Sequence, residues 1–250
     1  MQISYSEPLS QGLKLCDSLV GVTRATSPAV IAHRGASAAA RENSIGAFEL
    51  AVELGSDGVE LDVRRTADGL LVVHHDAHLE DGRGIADLRS EELPDRVPTL
   101  TAALDACGEL TVNVEIKNSE SDHGFDVSRR IADETMALVD DRATPSRYLI
   151  SSFDLPTVDR AAAVSPSPSA WLVYGGDPES LCQLCRARGH GVIHPWDRQV
   201  DAEFMSHARA ADLTVNVWTV DDPERMEELV RLGVDGIVTN VPDVARRVLD

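Results

Sequence analysis

Eight β-type runs alternate with amphipathic helical segments along most of this chain, and this alternation limits the possible folds more than any other feature. The predicted strands are Ala29–His33, Gly58–Val63, Leu110–Ile116, Tyr148–Ser152, Ala170–Tyr174, Gly191–His194, Thr214–Thr219 and Gly236–Thr239. The predicted helices carry apolar residues at helical spacing and are Ser44–Leu54, Leu100–Cys107, Phe125–Val139, Leu155–Val164, Pro178–Arg188, Ala202–Ala211, Pro223–Leu232 and Val241–Leu249. Eight strand–helix pairs favour an α/β fold whose parallel strands close into a (β/α)8 TIM barrel rather than an open sheet.

The length of the chain fits one large domain. It has 250 residues, and α/β barrels commonly reach this size undivided. Residues 1–28 show weak periodicity and are predicted to form an N-terminal extension, which leaves residues 29–250 for the barrel. A ninth run, Leu70–His75, is predicted to be the returning arm of a hairpin above strand two. Residues from about 64 to 98 would then form a small insertion.

The charge of the chain restricts its partners. The net charge is −19, and so acidic a surface is repelled by nucleic acid and by anionic membranes. No basic start precedes a long apolar run, and no stretch reaches the ~18 apolar residues of a spanning helix. We therefore expect a cytoplasmic protein without stable membrane association. The sequence leaves its oligomeric state open.

The four cysteines, Cys16, Cys107, Cys182 and Cys185, form no disulfide framework. Cys182 and Cys185 make a C-x-x-C pair, but a zinc site would need a second pair of ligands nearby. Their spacing of three positions places them on one face of a predicted helix. We expect small buried thiols.

Polar and charged side chains fall at the carboxyl ends of the predicted strands, where barrels of this kind carry their active sites. Strand two alternates so that Glu60 and Asp62 point to one face. Two acidic side chains on an otherwise apolar strand are costly unless a cation satisfies them, and a divalent metal is the simplest partner. The pattern predicts hydrolytic chemistry on an anionic ester. The residues at strand ends are His33, Arg34, Glu60, Asp62, Glu115, Lys117, Ser152, His194, Trp218 and Asn240.

The dipeptide Asp68-Gly69 lies between two β-type runs and predicts a two-residue hairpin turn, because such a turn needs positive φ at both central residues. A hairpin centred there places His75 opposite Asp62. His75 would then share the face of the acidic residues, whereas His74 would point the other way.

These motifs, in this order and spacing, resemble the glycerophosphodiester phosphodiesterase family from Val30 to about Asp243. Two residues depart from its usual pattern, since Arg41 stands where proline is usual and Asn240 where aspartate is common. The segment after His75-Asp76 is also shorter than usual. The matching blocks are His33-Arg34-Gly35, Glu42-Asn43-Ser44, Glu60-Leu61-Asp62, Asp68-Gly69, His75-Asp76, Pro98-Thr99-Leu100, Val114-Glu115-Ile116-Lys117, Ser152-Phe153, Val217-Trp218-Thr219-Val220-Asp221 and residues 233–240.

The resemblance implies a metal-dependent phosphodiesterase that hydrolyses glycerophosphodiesters, a class of small molecule, to sn-glycerol 3-phosphate and an alcohol. It implies a Mg²⁺ or Ca²⁺ ion held by Glu60, Asp62 and Glu115, with His33 and His75 as the general acid–base pair. The other expected substrate-binding residues are Arg34 and Lys117 at the phosphate, Glu42 as an orienting residue or hydrogen-bond acceptor, and Phe153 and Trp218 on the glycerol side.

Other functions stay open at this stage. A phospholipase-D-like hydrolase of lysophospholipids could use the same site and would show apolar surface around its mouth. A Schiff-base aldolase built on Lys117 belongs to another class and would favour fewer adjacent carboxylates. A barrel that only binds phosphorylated ligands would not need two histidines. Individual residues also have structural alternatives, such as a salt bridge between Lys117 and the acidic trio, or Asn43 as a helix N-cap.

Overall fold

The computed structural model describes residues 27–142 and 144–249. Its parallel strands are β1 (Ala29–His33), β2 (Gly58–Arg65), β4 (Thr111–Ile116), β5 (Tyr148–Ser152), β6 (Ser169–Val173), β7 (Val192–Pro195), β8 (Thr214–Val217) and β9 (Gly236–Thr239). They pair in the order β1-β2-β4-β5-β6-β7-β8-β9, and β9 pairs with β1 to close the barrel. A short strand, β3 (Leu71–Val73), pairs antiparallel with β2. The predicted TIM barrel with an insertion after strand two is confirmed.

The helices of the described chain alternate with the barrel strands. They are α1 (Ile45–Glu53), α2 (Leu100–Ala106), α3 (Arg130–Asp140), α4 (Leu155–Val164), α5 (Pro178–Ala187), α6 (Ala202–Ala210), α7 (Pro223–Leu232) and α8 (Pro242–Leu249). Every residue of β4 is buried, because barrel strands pack one face into the interior and the other against helices. Cys182 and Cys185 are buried on α5 and Cys107 follows α2, as predicted for small buried thiols, whereas Cys16 lies outside the described residues.

The predicted start of the third helix at Phe125 was wrong, because α3 begins at Arg130. The carboxylate of Asp126 accepts hydrogen bonds from the backbone N–H groups of Ser128 (2.9 Å) and Ile131 (3.1 Å), which favours a turn here. Arg129 has a φ of 57°, which is incompatible with a right-handed helix. The other boundaries agree with the predictions to within two residues.

The hairpin register differs from the prediction by one residue. Val63 pairs with Val73 and Arg65 with Leu71, which places His74 rather than His75 in line with Asp62. The reason is the turn, where Thr66 N–H donates to the carbonyl of Leu70 across a loop of three residues. Asp68-Gly69 therefore belongs to a three-residue connection with Gly69 at a φ of 93°, not to a two-residue turn.

The insertion has a small core of its own, in which Val72, Leu79, Ile85 and Leu88 are buried together. The predicted N-terminal extension, residues 1–28, lies almost entirely outside the described residues. In the part of the chain that the structure describes, no helix combines the length and hydropathy needed to cross a membrane.

Candidate active site

Three buried carboxylates meet at the carboxyl end of β2 and β4. Glu60 and Asp62 are two positions apart on β2, and Asp62 pairs in register with Glu115 on the neighbouring strand β4. One ligand oxygen from each of the three lies within 4.8 Å of the others. The exposed fractions of the three residues are 3%, 1% and 7%. The alternation and register of adjacent strands thus build the acidic cluster that the sequence predicts.

Three carboxyl groups meet here beside two protein cations, Arg34 and Lys117. Burial, reinforced by the other two carboxylates, raises the pKa of Glu60 well above its usual value, and burial also raises the pKa of Glu115. Burial would likewise raise the pKa of Asp62, but the cations of Lys117 and Arg34 outweigh it and lower that pKa to about 2. Lys117 Nζ lies 2.7 Å from Glu115 Oε1 and 3.6 Å from Asp62 Oδ1.

One oxygen of the cluster has no protein partner among the described residues. Glu60 Oε2 accepts a hydrogen bond from the backbone N–H of Arg34 at 2.9 Å, whereas Glu60 Oε1 is buried without a hydrogen bond. A buried, unsatisfied carboxylate oxygen is costly unless a ligand reaches it. Three carboxylates suit a hard divalent cation. The residues present therefore fit a Mg²⁺ or Ca²⁺ ion.

His33 ends β1 and lies beside this cluster. Its Nε2 is 4.0 Å from Glu60 Oε2, and its Nδ1 is hydrogen-bonded to Asn240 Oδ1 at 2.7 Å. Burial and, next, the charge of Arg34 lower the pKa of His33. The ring is thus held from behind by an amide, with its other nitrogen directed toward the carboxylates.

His75 reaches the same cleft from the insertion. Strand β3 ends at Val73, and the Arg64 guanidinium then holds the carbonyl oxygen of His75 through Nε (2.8 Å) and Nη2 (2.6 Å). The imidazole Nδ1 is hydrogen-bonded to Asp76 Oδ1 at 2.7 Å. His75 lines the cleft together with His33, although not through the cross-strand pairing that the sequence predicted. His74 instead contacts the carbonyl of Asp76 and lines a neighbouring groove, which His75 also lines.

Arg34 links the acidic cluster to the outer rim. Its Nη1 donates to both carboxylate oxygens of Glu42 at 3.0 Å, and its Nε lies 3.4 Å from Asp62 Oδ2. Arg34 has a φ of 58°, which turns the chain sharply after β1. Glu42 is half-exposed. Among the described residues, its hydrogen bonds to Arg34 are what link it to the acidic cluster.

Asn43 orients Asp62. Its Nδ2 donates to Asp62 Oδ2 at 2.7 Å, and its Oδ1 accepts the backbone N–H of Asp62 at 3.3 Å. The N-cap of α1 is Ser44, whose side chain accepts the N–H of Ala47, so the N-cap alternative for Asn43 was wrong. Asn43 has a φ of 53°, and asparagine is one of the few residues that readily adopt a positive φ. The asparagine in Glu-Asn-Ser is therefore the sequence signal for a turn residue rather than an N-cap.

Phe153 and Trp218 line the cleft, and two further aromatic side chains extend from them. Phe153 and Trp218 pack edge to face with ring centroids 5.3 Å apart, and the Trp218 indole N–H donates to the carbonyl of His194 at 2.8 Å. Tyr174 lies 6.4 Å from Trp218 and stacks on Trp196 at 4.5 Å. We call Phe153, Tyr174, Trp196 and Trp218 the aromatic wall.

The remaining candidates, Ser152 and His194, form hydrogen bonds within the barrel. Ser152 Oγ donates to the carbonyl of Ile116, a contact between neighbouring strands. His194 is buried in the barrel, where its Nε2 is hydrogen-bonded to Asn216. Sequence reasoning did not assign a role to Asp76 or Asp221, since their contacts with His75 and Asn240 depend on the folded chain.

Comparisons with known proteins show the family of this chain. Residues 33–244 match the glycerophosphoryl diester phosphodiesterase family. The chain is 32% identical over 235 residues to a glycerophosphodiester phosphodiesterase of Caldanaerobacter subterraneus subsp. tengcongensis, covering 86% of this chain and 94% of that protein. It is 55% identical over 248 residues to the Mycobacterium tuberculosis protein named probable glycerophosphodiester phosphodiesterase 1, covering 86% and 90%.

Solved structures give the same result. The crystal structure of a glycerophosphodiester phosphodiesterase from Parabacteroides distasonis matches with a TM-score of 0.78 at 28% identity, over 89% of this chain and 96% of that one. The Thermotoga maritima glycerophosphodiester phosphodiesterase matches with a TM-score of 0.75 at 27% identity, over 88% and 97%. The chain belongs to the glycerophosphoryl diester phosphodiesterase family and is a phosphoric diester hydrolase.

Proposed function

We propose that this protein hydrolyses glycerophosphodiesters to sn-glycerol 3-phosphate and an alcohol, in a reaction that requires Mg²⁺ or Ca²⁺. The observation that carries the proposal is the position of Glu60, Asp62 and Glu115, whose oxygens lie within 4.8 Å of one another. They meet beside the cleft that His33 and His75 line. These three carboxylates would hold the ion. Bound there, it would supply Lewis-acid polarisation of the phosphoryl oxygens.

The two histidines divide the proton transfers. Asn240, a neutral amide, accepts the Nδ1 hydrogen of His33, whereas Asp76, a carboxylate, accepts that of His75. A carboxylate stabilises an imidazolium better than an amide does. His33 therefore acts as the base that removes a proton from the attacking hydroxyl, which belongs to glycerol or to water. His75 is the acid that protonates the departing alcohol.

Arg34 and Lys117 bind the phosphate. Both lie against Asp62, within 3.4 and 3.6 Å, and therefore at the edge of the acidic cluster where an anionic ester would approach. Glu42 fixes the Arg34 guanidinium in place. Preorganised cations of this kind stabilise the charge that accumulates on phosphoryl oxygens during displacement.

Phe153 and Trp218 provide an apolar wall for the glycerol carbons. The Trp218 indole N–H is already bonded to a backbone carbonyl, so the ring offers its face rather than a donor. Phe153 is 39% exposed and lies next to Lys117, whose Nζ is 5.7 Å from the ring centroid. A glycerol unit held here would keep its phosphate between Lys117 and the acidic cluster.

The test is release of sn-glycerol 3-phosphate from glycerophosphocholine by purified protein with added Mg²⁺ or Ca²⁺, and again in EDTA. We expect turnover that EDTA abolishes and added metal restores. Glu60→Gln should remove activity, whereas Glu49→Gln, a matched change on the exposed side of α1, should not. Undiminished turnover in EDTA would contradict a metal requirement.

The aromatic wall favours one second candidate, hydrolysis of lysophospholipids. Tyr174 is 66% exposed and continues the apolar surface outward from Trp218. An acyl chain on glycerol would have a surface to lie on. Tyr174→Ser should then lower kcat/KM for a short-chain lysophosphatidylcholine and leave glycerophosphocholine unaffected, while Tyr174→Phe should preserve both.

The chemistry of Lys117 argues against a Schiff-base aldolase. Burial alone would lower the pKa of Lys117, but the adjacent carboxylates of Glu115 and Asp62 raise it. A Schiff base requires a neutral amine. The lysine is therefore held in the charged form that suits a phosphate ligand.

A further inference from the structure

The nitrogen of His33 that faces away from the cleft is the end of a three-residue hydrogen-bonded chain. His33 Nδ1 meets Asn240 Oδ1 at 2.7 Å, and Asn240 Nδ2 donates to Asp221 Oδ2 at 2.7 Å. The backbone N–H of Asn240 and the hydroxyl of Thr239 donate to the other oxygen, Asp221 Oδ1, at 2.8 and 3.0 Å. Asp221 follows β8, Asn240 follows β9 and His33 ends β1. The hydrogen-bonded residues therefore lie along the barrel rim at three neighbouring strands.

The chemistry of these groups fixes the direction of the hydrogen bonds that link Asp221, Asn240 and His33. An ionised carboxylate can only accept, so the NH2 group of Asn240 must face Asp221. The amide oxygen of Asn240 is then directed at His33. The hydroxyl of Ser37 lies 2.8 Å from the same oxygen and 2.7 Å from the carbonyl oxygen of His33. An oxygen acceptor requires His33 Nδ1 to carry the hydrogen. The neutral ring therefore has its lone pair on Nε2, which is the nitrogen beside Glu60.

We propose that Asp221 and Asn240 are positioning residues that hold His33 in the one neutral tautomer able to act as a base toward the cleft. The inference rests on the proposed function for its kinetic consequence, but the tautomer itself is a property of the free protein. It also gives a reason for asparagine at position 240. The side chain both donates to Asp221 and accepts from His33, which transmits the orientation set by one carboxylate to the ring.

The substitution Asp221→Asn should reverse this chain without changing its shape. The remaining oxygen of residue 221 would keep the backbone N–H of Asn240, and the new NH2 group would face the Asn240 side chain. Asn240 would then turn its oxygen toward residue 221 and its NH2 group toward His33. The ring nitrogen Nδ1 would have to accept, so the hydrogen would move to Nε2 and the base would be lost.

The kinetic experiment compares the wild type, Asp221→Asn and the double variant Asp221→Asn/Asn240→Asp with glycerophosphocholine. We expect Asp221→Asn to lower kcat by roughly 10²-fold or more, with KM changed little, because general-base catalysis is lost and binding is not. The double variant should recover part of kcat, since two carboxylate oxygens at position 240 can accept from both neighbours, although a carboxylate there also favours the imidazolium form of His33. Asp177→Asn, a matched change at the N-cap of α5, should leave kcat unchanged.

A second measurement reads the tautomer directly. In ¹⁵N NMR of the metal-free protein, His33 should show a protonated Nδ1 in the wild type and the double variant, and a protonated Nε2 in Asp221→Asn. This readout holds even if glycerophosphocholine is not a substrate, which separates failure of the inference from failure of the proposed function. Full kcat in a folded Asp221→Asn variant, an unchanged tautomer, or a double variant as impaired as the single one would overturn the proposal.

Discussion

Asp62 and Glu115 face each other across the ladder between β2 and β4, so two buried carboxylates are placed side by side by strand register alone. Glu60, two positions earlier on β2, completes the cluster. Its position among buried like charges costs folding free energy that a bound cation would offset. We therefore expect the folded protein to be less stable without a metal ion than with one bound at this cluster.

Stability measurements should reveal this cost. A carboxyl whose pKa is raised on folding destabilises the native state as pH rises above its unfolded value, since the unfolded chain releases the proton first. Glu60→Gln should therefore raise the unfolding temperature of the EDTA-treated protein at pH 7 to 8. Added Ca²⁺ should stabilise the wild type, by about 2.7 kcal/mol at about 100 times Kd, and should stabilise the variant less. Equal metal stabilisation of both would contradict the assignment of Glu60.

The two neighbouring histidines of the insertion should differ sharply. His75→Ala removes the proposed acid and should lower kcat by roughly 10²- to 10⁴-fold. His74→Ala removes a ring that lines the neighbouring groove and not the cleft of His33, and should leave kcat close to that of the wild type. Steady-state kinetics on glycerophosphocholine checks both. A larger loss from His74→Ala would favour a site built on the hairpin register rather than on the position of the His75 ring.

Substitutions of Arg34 and Glu42 should differ in their effect on kcat/KM. Arg34→Gln takes a cation from the proposed phosphate site and should lower kcat/KM by roughly 10²-fold. Glu42→Gln leaves that cation in place and only weakens its half-exposed partner, so its effect should be much smaller. Similar losses from the two changes would instead indicate that Glu42 contacts the substrate itself.

His194 should make the fold sensitive to acid. Burial lowers the pKa of His194 to about 3, so between that value and the ordinary value near 6.5 the unfolded chain binds a proton that the native chain does not. This group alone should reduce the free energy of unfolding by up to about 1.4 kcal/mol per pH unit as pH falls through that range. Urea unfolding at several pH values should show a shallower decline for His194→Gln. Identical slopes would mean that His194 is not held neutral.

The barrel could be predicted from sequence because its signals are local. Apolar strand runs and amphipathic helices each show their own period, and eight repeats leave few alternatives. The acidic trio could also be anticipated, since two of its members alternate on β2 and the third ends the next barrel strand in sequence, β4. The acidic cluster could therefore be predicted from the sequence.

The hairpin register could not be predicted from the sequence, because Asp68-Gly69 suits both a two-residue turn and the observed three-residue connection. His75 was selected by a pairing that does not occur. It reaches the cleft because the strand ends at Val73 and Arg64 holds its carbonyl oxygen. The early start predicted for α3 failed for a similar reason, since a turn at Asp126 competes with the helix.

The support of His33 depends on distance in the chain rather than on local pattern. Asn240 is 207 positions from His33, and Asp221 is 19 positions from Asn240. Such contacts arise only when the barrel closes and brings β9 beside β1. No periodicity in a single sequence carries this information.

The most direct test of the account is calorimetric titration of the metal-depleted protein with Ca²⁺ or Mg²⁺, with release of sn-glycerol 3-phosphate followed in the same samples. We expect one ion per chain in the wild type, with binding and turnover saturating together, and neither in a folded Asp62→Asn variant. Metal binding of unchanged affinity in that variant, or full turnover before any ion is bound, would contradict the central claim.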